Sequence, residues 1–365
     1  MSANAFPTDT DAQPVRALEP RFYTDAVIFG NECERIFFRT WQYACHAAEV
    51  ETAGDFVVFE VAGQSLFVVH DDDGALRAFY NVCQHRAHLL LEGSGNQKLI
   101  RCPYHAWTYR LDGALKGAPN AKNVAGFDAS GICLQPVQLE MFCGFVFVNL
   151  DPDAKPMSEW YPHAAEDLRG YVPAIDDYKP IWSHQADENC NWKVAVENYN
   201  ECYHCRVVHR AFTKGVIAAD TVDIVPGEGH TLRHRADAVP SENASYSFSD
   251  TEYNVIFLWP TMAIQIYPGQ VVNTYWWRAN GVTQTRVFRG WLTKGGERDP
   301  ATLEIAEIDR VTTFAEDLPL LNSVQRGLNS RGYRPGPLVL DPNGGVDNEL
   351  SIYTFHRWVR EALGV

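Results

Sequence analysis

Two short stretches decide the reading: Asn81-Val82-Cys83-Gln84-His85-Arg86 and Arg101-Cys102-Pro103-Tyr104-His105. Together they read C-x-H, sixteen intervening residues, then C-x-x-H. Each half sets one thiol and one imidazole at a tight turn, and two such turns facing each other offer four ligands. Thiolates suit iron–sulfur clusters, and imidazole suits iron or zinc. Zinc also accepts two cysteines and two histidines, but its common spacings pair like with like. Here each half is mixed.

A cluster of the Rieske type needs two thiolates on one iron and two imidazoles on the other, and a mixed pair of loops supplies that directly. Exchanging two thiolates for neutral imidazoles also raises the cluster's potential. The four residues Cys83, His85, Cys102 and His105 are therefore the expected [2Fe-2S] ligands. His88 lies outside the pattern and is read as an outer or surface residue. Tyr104 and Trp107 either shield the cluster or pack as ordinary aromatics.

The surroundings of the motif are those of a small all-β domain, residues 42–155. Phe56–Val61 and Leu66–His70 read as strands separated by Ala62-Gly63-Gln64, and Asp71-Asp72-Asp73-Gly74 is a hairpin turn signal. Further strands are expected near Leu99–Arg101, Ala106–Tyr109 and Phe145–Leu150. Before them, residues 1–41 form an N-terminal segment expected to pack with the catalytic domain, with a helix over Ile28–Trp41 from its apolar spacing. After Asp151-Pro152-Asp153 and Lys155-Pro156, residues 156–365 read as a second domain. Strand-like runs fall at Tyr253–Trp259, Met262–Tyr267, Gln270–Trp277 and Gln284–Leu292. Helices are expected over Asn191–His209, Pro300–Ser330 and Asn348–Leu363. The fold class is α+β: a small β domain followed by an antiparallel sheet flanked by helices.

A chain of 365 residues favours two domains, and 46% hydrophobic residues are ample for their cores. The net charge of −15 argues against a nucleic-acid or anionic-membrane surface. No apolar run is long enough to span a bilayer. Met1–Pro20 lacks the basic start and apolar stretch of a signal peptide, so a cytoplasmic location is expected. Nine cysteines, an odd number in a chain read as unexported, make a disulfide framework an unlikely design.

A second constellation lies in Glu201-Cys202-Tyr203-His204-Cys205-Arg206-Val207-Val208-His209. His204 and His209 are five apart, which offsets them on a regular helix. A break between them would turn both imidazoles toward one ion. Two histidines and one distant carboxylate make the facial triad of non-haem Fe(II) oxygenases, with positions left open for dioxygen and substrate. The carboxylate is assigned to Asp317, with Glu316 as its rival, because spacing alone does not separate them. Cys202 and Cys205 form a C-x-x-C but are read as ordinary buried thiols, since a thiolate on the iron would compete for the open positions.

Both motifs, in this order, resemble the Rieske non-haem iron oxygenase alpha subunits, and the resemblance covers nearly the whole chain. Tyr23–Trp41, Gly54-Asp55-Phe56, Arg77–Cys83, Gly144–Leu150 and Asn191-Trp192-Lys193 take part in it. The resemblance implies a homotrimer in which one subunit's cluster lies near its neighbour's iron. An acidic residue bridges the two centres, here Glu201 between His105 of one subunit and His204 of the next. It also implies electrons from NAD(P)H, delivered by a separate flavin and iron–sulfur reductase. Ring-hydroxylating members carry Asp at the bridge and one more residue after the preceding Asn. The run Glu201–Cys205, with Glu316-Asp317-Leu318-Pro319 and Ser323–Leu328, is similar instead to the branch that oxidises betaines, carnitine and choline.

That branch makes a physical demand. A trimethylammonium group donates no hydrogen bonds and is held by aromatic faces, at ~0.5–2 kcal/mol per ring. Tyr199, Tyr203, Trp259, Tyr267 and Trp276 are the candidate cage residues, with Tyr253, Phe257 and Trp277 as further aromatics of the same half. The expected reaction is a monooxygenation that demethylates or cleaves a quaternary ammonium compound. One alternative is oxygenation of an aromatic ring or acid on the same scaffold. Another is a Rieske electron carrier without catalysis, against which His204, His209 and Asp317 argue.

Overall fold

The computed structural model describes residues 14–239 and 252–365. The chain forms two compact units: Phe37–Ala154, and Lys155–Val365 together with the described residues up to Ile36.

The first unit is all-β. Its strands are β1 (Gln42–His46), β2 (Asp55–Val61), β3 (Gln64–His70), β4 (Leu76–Tyr80), β5 (Ser94–Asn96), β6 (Ile100–Arg101), β7 (Thr108–Tyr109), β8 (Leu115–Gly117), β9 (Pro136–Phe142) and β10 (Phe145–Asn149). Seven of them form one sheet in the order β1-β10-β9-β4-β3-β2-β5, and β6-β7-β8 form a small second sheet. Strands β2 and β3 close through Ala62-Gly63, both at positive φ (45° and 81°), with Val61 opposite Gln64. That is a two-residue turn whose backbone twist matches the flanking strands. The core packs Phe56, Phe67, Phe79, Ile100, Tyr109 and Leu134 around Cys83 and Cys102.

The second unit is built on one antiparallel sheet. Its strands are β11 (Tyr178–Glu188), β12 (Asp223–Pro226), β13 (Thr231–Asp237), β14 (Glu252–Leu258), β15 (Met262–Tyr267), β16 (Val271–Gly281) and β17 (Gln284–Lys294), in the order β11-β17-β16-β15-β14-β13-β12. The helices Trp192–Tyr199, Pro300–Val311, Thr313–Leu328 and Leu350–Leu363 accompany it. The expected single helix over 300–330 is two, interrupted at Thr312 (φ −110°, ψ −96°). The N-terminal helix is α-helical over Ala26–Glu32 and widens to a π turn over Cys33–Phe37. Among the described residues, no helix is long and apolar enough to cross a membrane.

A buried ion pair anchors the helix Trp192–Tyr199. Lys193 Nζ lies 2.5 Å from Glu32 Oε1, and Trp192 Nε1 donates to Glu32 Oε2 at 2.8 Å. Both charged side chains are fully buried. Removing one partner of such a pair leaves a buried charge uncompensated, at about 3–5 kcal/mol. Lys193→Met is expected to lower the unfolding free energy by that amount, read as a lower urea midpoint, and an unchanged midpoint would show that the pair does not anchor the helix.

Candidate metal centres

The two cysteine–histidine loops are the same turn made twice. Cys83 N donates to His88 O (2.9 Å) and Ala87 N to Cys83 O (3.0 Å). Likewise Cys102 N donates to Trp107 O (2.8 Å) and Ala106 N to Cys102 O (3.0 Å). Ala87 and Ala106 hold matching left-handed conformations, φ 58° and 57°. The repeated turn brings the His85 and His105 rings to 4.8 Å between centroids. Cys83 and Cys102 are buried and free of disulfides. His105 Nδ1 is buried with no hydrogen-bond partner. An orphaned imidazole nitrogen, a second imidazole and two buried thiols form a donor set that fits a Rieske cluster. Trp107 stacks on His85 at 4.7 Å, and the half-exposed Tyr104 ring sits 3.7 Å from His105, so both aromatics cover the imidazoles. His88 is exposed and faces Tyr104.

In the second unit the helix Trp192–Tyr199 starts at Asn191, whose side chain accepts from Lys193 N. It stops at Asn200. The Asn200 amide folds back onto Val196 O (2.9 Å), its side-chain oxygen meets His234 Nε2 (3.1 Å), and its carbonyl takes the Ser351 hydroxyl (2.6 Å). The chain then turns through Glu201–His204 into the short helix Cys205–Val208. The break, expected between His204 and His209, thus comes earlier, between Asn200 and His204. His204 and His209 stand at the two ends of that four-residue helix.

Their rings meet at 4.9 Å, with the Nε2 atoms 3.0 Å apart. Asp317 Oδ1 lies 3.1 Å from His209 Nε2 and 3.6 Å from His204 Nε2. The donor atoms of these three side chains lie within 4.8 Å of one another, close enough to hold a metal ion. Glu316 does not join them: its carboxylate lies 2.9 Å from His209 Nδ1, on the far side of the ring. Glu201 plays the same part for His204, with Oε1 2.5 Å from Nδ1. Carboxylates on the outer nitrogens direct both Nε2 atoms inward, as ligating imidazoles require. Asn198, which the sequence did not single out, donates to Asp317 Oδ1 at 3.4 Å.

Cys202 and Cys205 are not the separate thiols expected. They form a disulfide, because the turn between them leaves their Cα atoms 4.9 Å apart, within bonding reach. Paired in this way, neither sulfur is a thiolate able to compete for the iron.

The triangle opens into a cleft. Tyr199, Phe212, Tyr253, Tyr267, Tyr275 and Trp277 line it. Tyr199 lies 5.1 Å from Tyr275 and 5.0 Å from Trp277, and Tyr253 lies 5.4 Å from Tyr267. Three of the expected cage residues are elsewhere. Trp276 alternates to the other face of β16 and stacks on Phe288 at 5.0 Å. Trp259 is buried between Trp192, Phe355 and Trp358. Tyr203 is half exposed and does not line the cleft. Tyr275 and Phe212 went unnamed in the sequence, although Tyr275 is two residues from Trp277 and shares its face.

The fold and the two donor sets define a class: an oxygenase subunit with a Rieske domain and a mononuclear iron domain. The Rieske [2Fe-2S] domain family matches residues 40–128, and the ring hydroxylating alpha subunit catalytic domain matches 175–364. The chain belongs to the Rieske oxygenase alpha subunits. It is 36% identical to the carnitine monooxygenase oxygenase subunit of Escherichia coli K12 over 98% of this chain and 97% of that one. It is 30% identical to the chloroplastic choline monooxygenase of Beta vulgaris, over 97% of this chain and 79% of that one. A solved quaternary ammonium Rieske monooxygenase, described with carnitine oxidation and inter-subunit electron transfer, superposes with a TM-score of 0.91 at 32% identity, covering 96% of each chain. Its cofactors are accordingly a Rieske cluster and a mononuclear iron, supplied with electrons by a reductase.

Proposed function

We propose that this chain is the oxygenase component of a monooxygenase that hydroxylates a quaternary ammonium compound of the betaine, carnitine or choline type. One observation carries the reading: the triangle His204–His209–Asp317 lines a single cleft with seven aromatic rings, the six named above and Phe314. Ring faces attract an ammonium that donates no hydrogen bonds, and their edges exclude water from it. Cys83, His85, Cys102 and His105 would hold the cluster, and His204, His209 and Asp317 the iron. When bound, the iron activates dioxygen and the cluster supplies single electrons. Substrate, dioxygen, two electrons and two protons give the hydroxylated product and water. Hydroxylation of an N-methyl group yields an N-CH2OH that collapses to formaldehyde and a tertiary amine. Attack on another carbon cleaves the chain or leaves an aldehyde hydrate.

The protein's own groups set the geometry. Glu201 and Glu316 fix the two imidazoles, and Asn198 steadies Asp317. In the proposed homotrimer Glu201 also reaches His105 of a neighbouring subunit, since a carboxylate accepts from both imidazoles at once. Glu201→Gln is expected to keep iron and sulfide contents intact while turnover falls about 100-fold, the upper end for losing an outer partner of a ligand. Undiminished turnover would remove Glu201 from the electron path. A reductase fed by NAD(P)H supports the cytoplasmic location expected from the sequence.

The test is turnover of carnitine, γ-butyrobetaine, choline and glycine betaine beside benzoate and naphthalene, with iron-loaded protein and a competent reductase. Release of formaldehyde or trimethylamine from a quaternary ammonium compound, with no aromatic product, is expected. Aromatic turnover alone would contradict the reading. The aromatic alternative rests on a fold likeness to naphthalene 1,2-dioxygenase, TM-score 0.81 at 17% identity over 100% of this chain and 95% of that one, which shows the fold alone. The electron-carrier alternative falls, because the chain carries the catalytic domain.

A further inference from the structure

The charges around the cleft do not balance within the protein. Four acidic residues line it: Glu188, Glu201, Asp309 and Asp317. Three are committed. Glu201 holds His204, Asp317 meets both ligand histidines, and Asp309 is in direct contact with the guanidinium of Arg289. The one arginine that lines the cleft, Arg235, pairs with Glu252.

Glu188 is different. It ends β11, is 4% exposed, and its Oε2 has no hydrogen-bond partner. The strand register places it on the cage face of the sheet. Glu188 pairs with Thr285 and Trp277 with Val287, so Glu188 and Trp277 project on one side, and Tyr275 shares it through Arg289. A buried acid without donors costs free energy whether it is charged or neutral, and such groups are retained where a ligand completes them. Burial first, then the charge of Asp317, push its carboxyl up to about 8 against a smaller opposing pull from Arg289, so the acid holds its proton until an arriving cation favours the carboxylate.

A hydrogen-bonding cation would need lone pairs at fixed angles. A trimethylammonium needs only proximity to negative charge and contact with apolar or ring surface. Glu188, on the same sheet face as Tyr275 and Trp277 and lining the same cleft, offers both once it is ionised. We propose that Glu188 is the counter-charge that makes this cleft select a quaternary ammonium head over a neutral group of the same shape. The proposal rests on the quaternary-ammonium reading and assigns its charge recognition to one side chain that takes no part in either metal centre.

Carbon isosteres test this without turnover. Choline has the neutral counterpart 3,3-dimethylbutan-1-ol, and γ-butyrobetaine has 5,5-dimethylhexanoate; in each a quaternary carbon replaces the nitrogen. Affinities are measured by calorimetry on the iron-loaded protein. In the wild type the cation of at least one pair is expected to bind ten times or more tighter than its isostere. In Glu188→Gln that ratio should fall at least fivefold, through weaker binding of the cation, while the isostere binds as before. Glu188→Asp, which keeps the charge, should retain most of the preference. An unchanged ratio in Glu188→Gln overturns the proposal. So does equal binding of cation and isostere by the wild type, which decides the matter even if the glutamine variant fails to fold. Failure of the wild type to bind either cation would instead remove the substrate reading itself, and this one with it.

Discussion

Asp317→Ala is expected to reduce turnover to background and to lower the iron content from three to two per chain, with two sulfides retained. The argument is geometric. Asp317 Oδ1 is the third donor beside two convergent imidazoles, at 3.1 and 3.6 Å from their Nε2 atoms. Two histidines alone leave the facial arrangement without its carboxylate. Glu316 cannot replace it, because its own carboxylate is held at His209 Nδ1 on the opposite side of the ring. The loss should therefore exceed the roughly 10–100-fold that follows removal of an outer partner of a ligand. Iron and acid-labile sulfide assays check the metal content, and retention of the third iron would reassign the ligand.

Cys102→Ala should have the second large effect, on the other unit. Cys102 and Cys83 are not at the surface of the Rieske domain; they sit in its hydrophobic core with Ile100, Tyr109 and Leu134. A cluster bound by four residues of two loops contributes its binding free energy to folding. Losing one thiolate should abolish the visible absorption of the cluster and lower the melting temperature of this unit by about 10 °C or more. Cys45→Ala supplies the control: Cys45 is equally buried, in β1, but belongs to no ligand loop. It should keep the absorption spectrum and lose only what a small cavity costs, about 1 kcal/mol. A Cys102→Ala protein with an unchanged spectrum would overturn the ligand assignment.

What the sequence made legible was local. The cluster loops could be read because each ligand pair lies within one turn, and their equivalence appears in the repeated Cys-to-backbone bonds. The hairpin at Asp71–Gly74, which joins β3 to β4, was legible for the same reason. Less legible was anything decided by which way a side chain faces. Asp317 and Glu316 are neighbours on a helix, about 100° apart around its axis, and only the fold shows which one faces both Nε2 atoms. Tyr275, Trp276 and Trp277 differ by single steps along a strand, so alternate residues enter the cleft and the middle one stacks on Phe288. Trp259 was misplaced because a tryptophan-rich core beside the helices claimed it. Strand β11 escaped notice because its residues alternate with polar ones, a pattern weaker than the apolar runs around it. Glu188 drew no attention for the same reason: it is one charged residue at the end of a polar stretch, and its significance lies in the partners it lacks.

If the aromatic cleft and the metal triangle act on one quaternary ammonium molecule, dioxygen uptake and substrate loss are coupled. Both are recorded together with iron-loaded protein, reductase and NAD(P)H. Carnitine, γ-butyrobetaine, choline or glycine betaine is expected to stimulate uptake and to be consumed one molecule per dioxygen. Dioxygen uptake indifferent to every quaternary ammonium compound, but coupled to loss of benzoate or naphthalene, would contradict it.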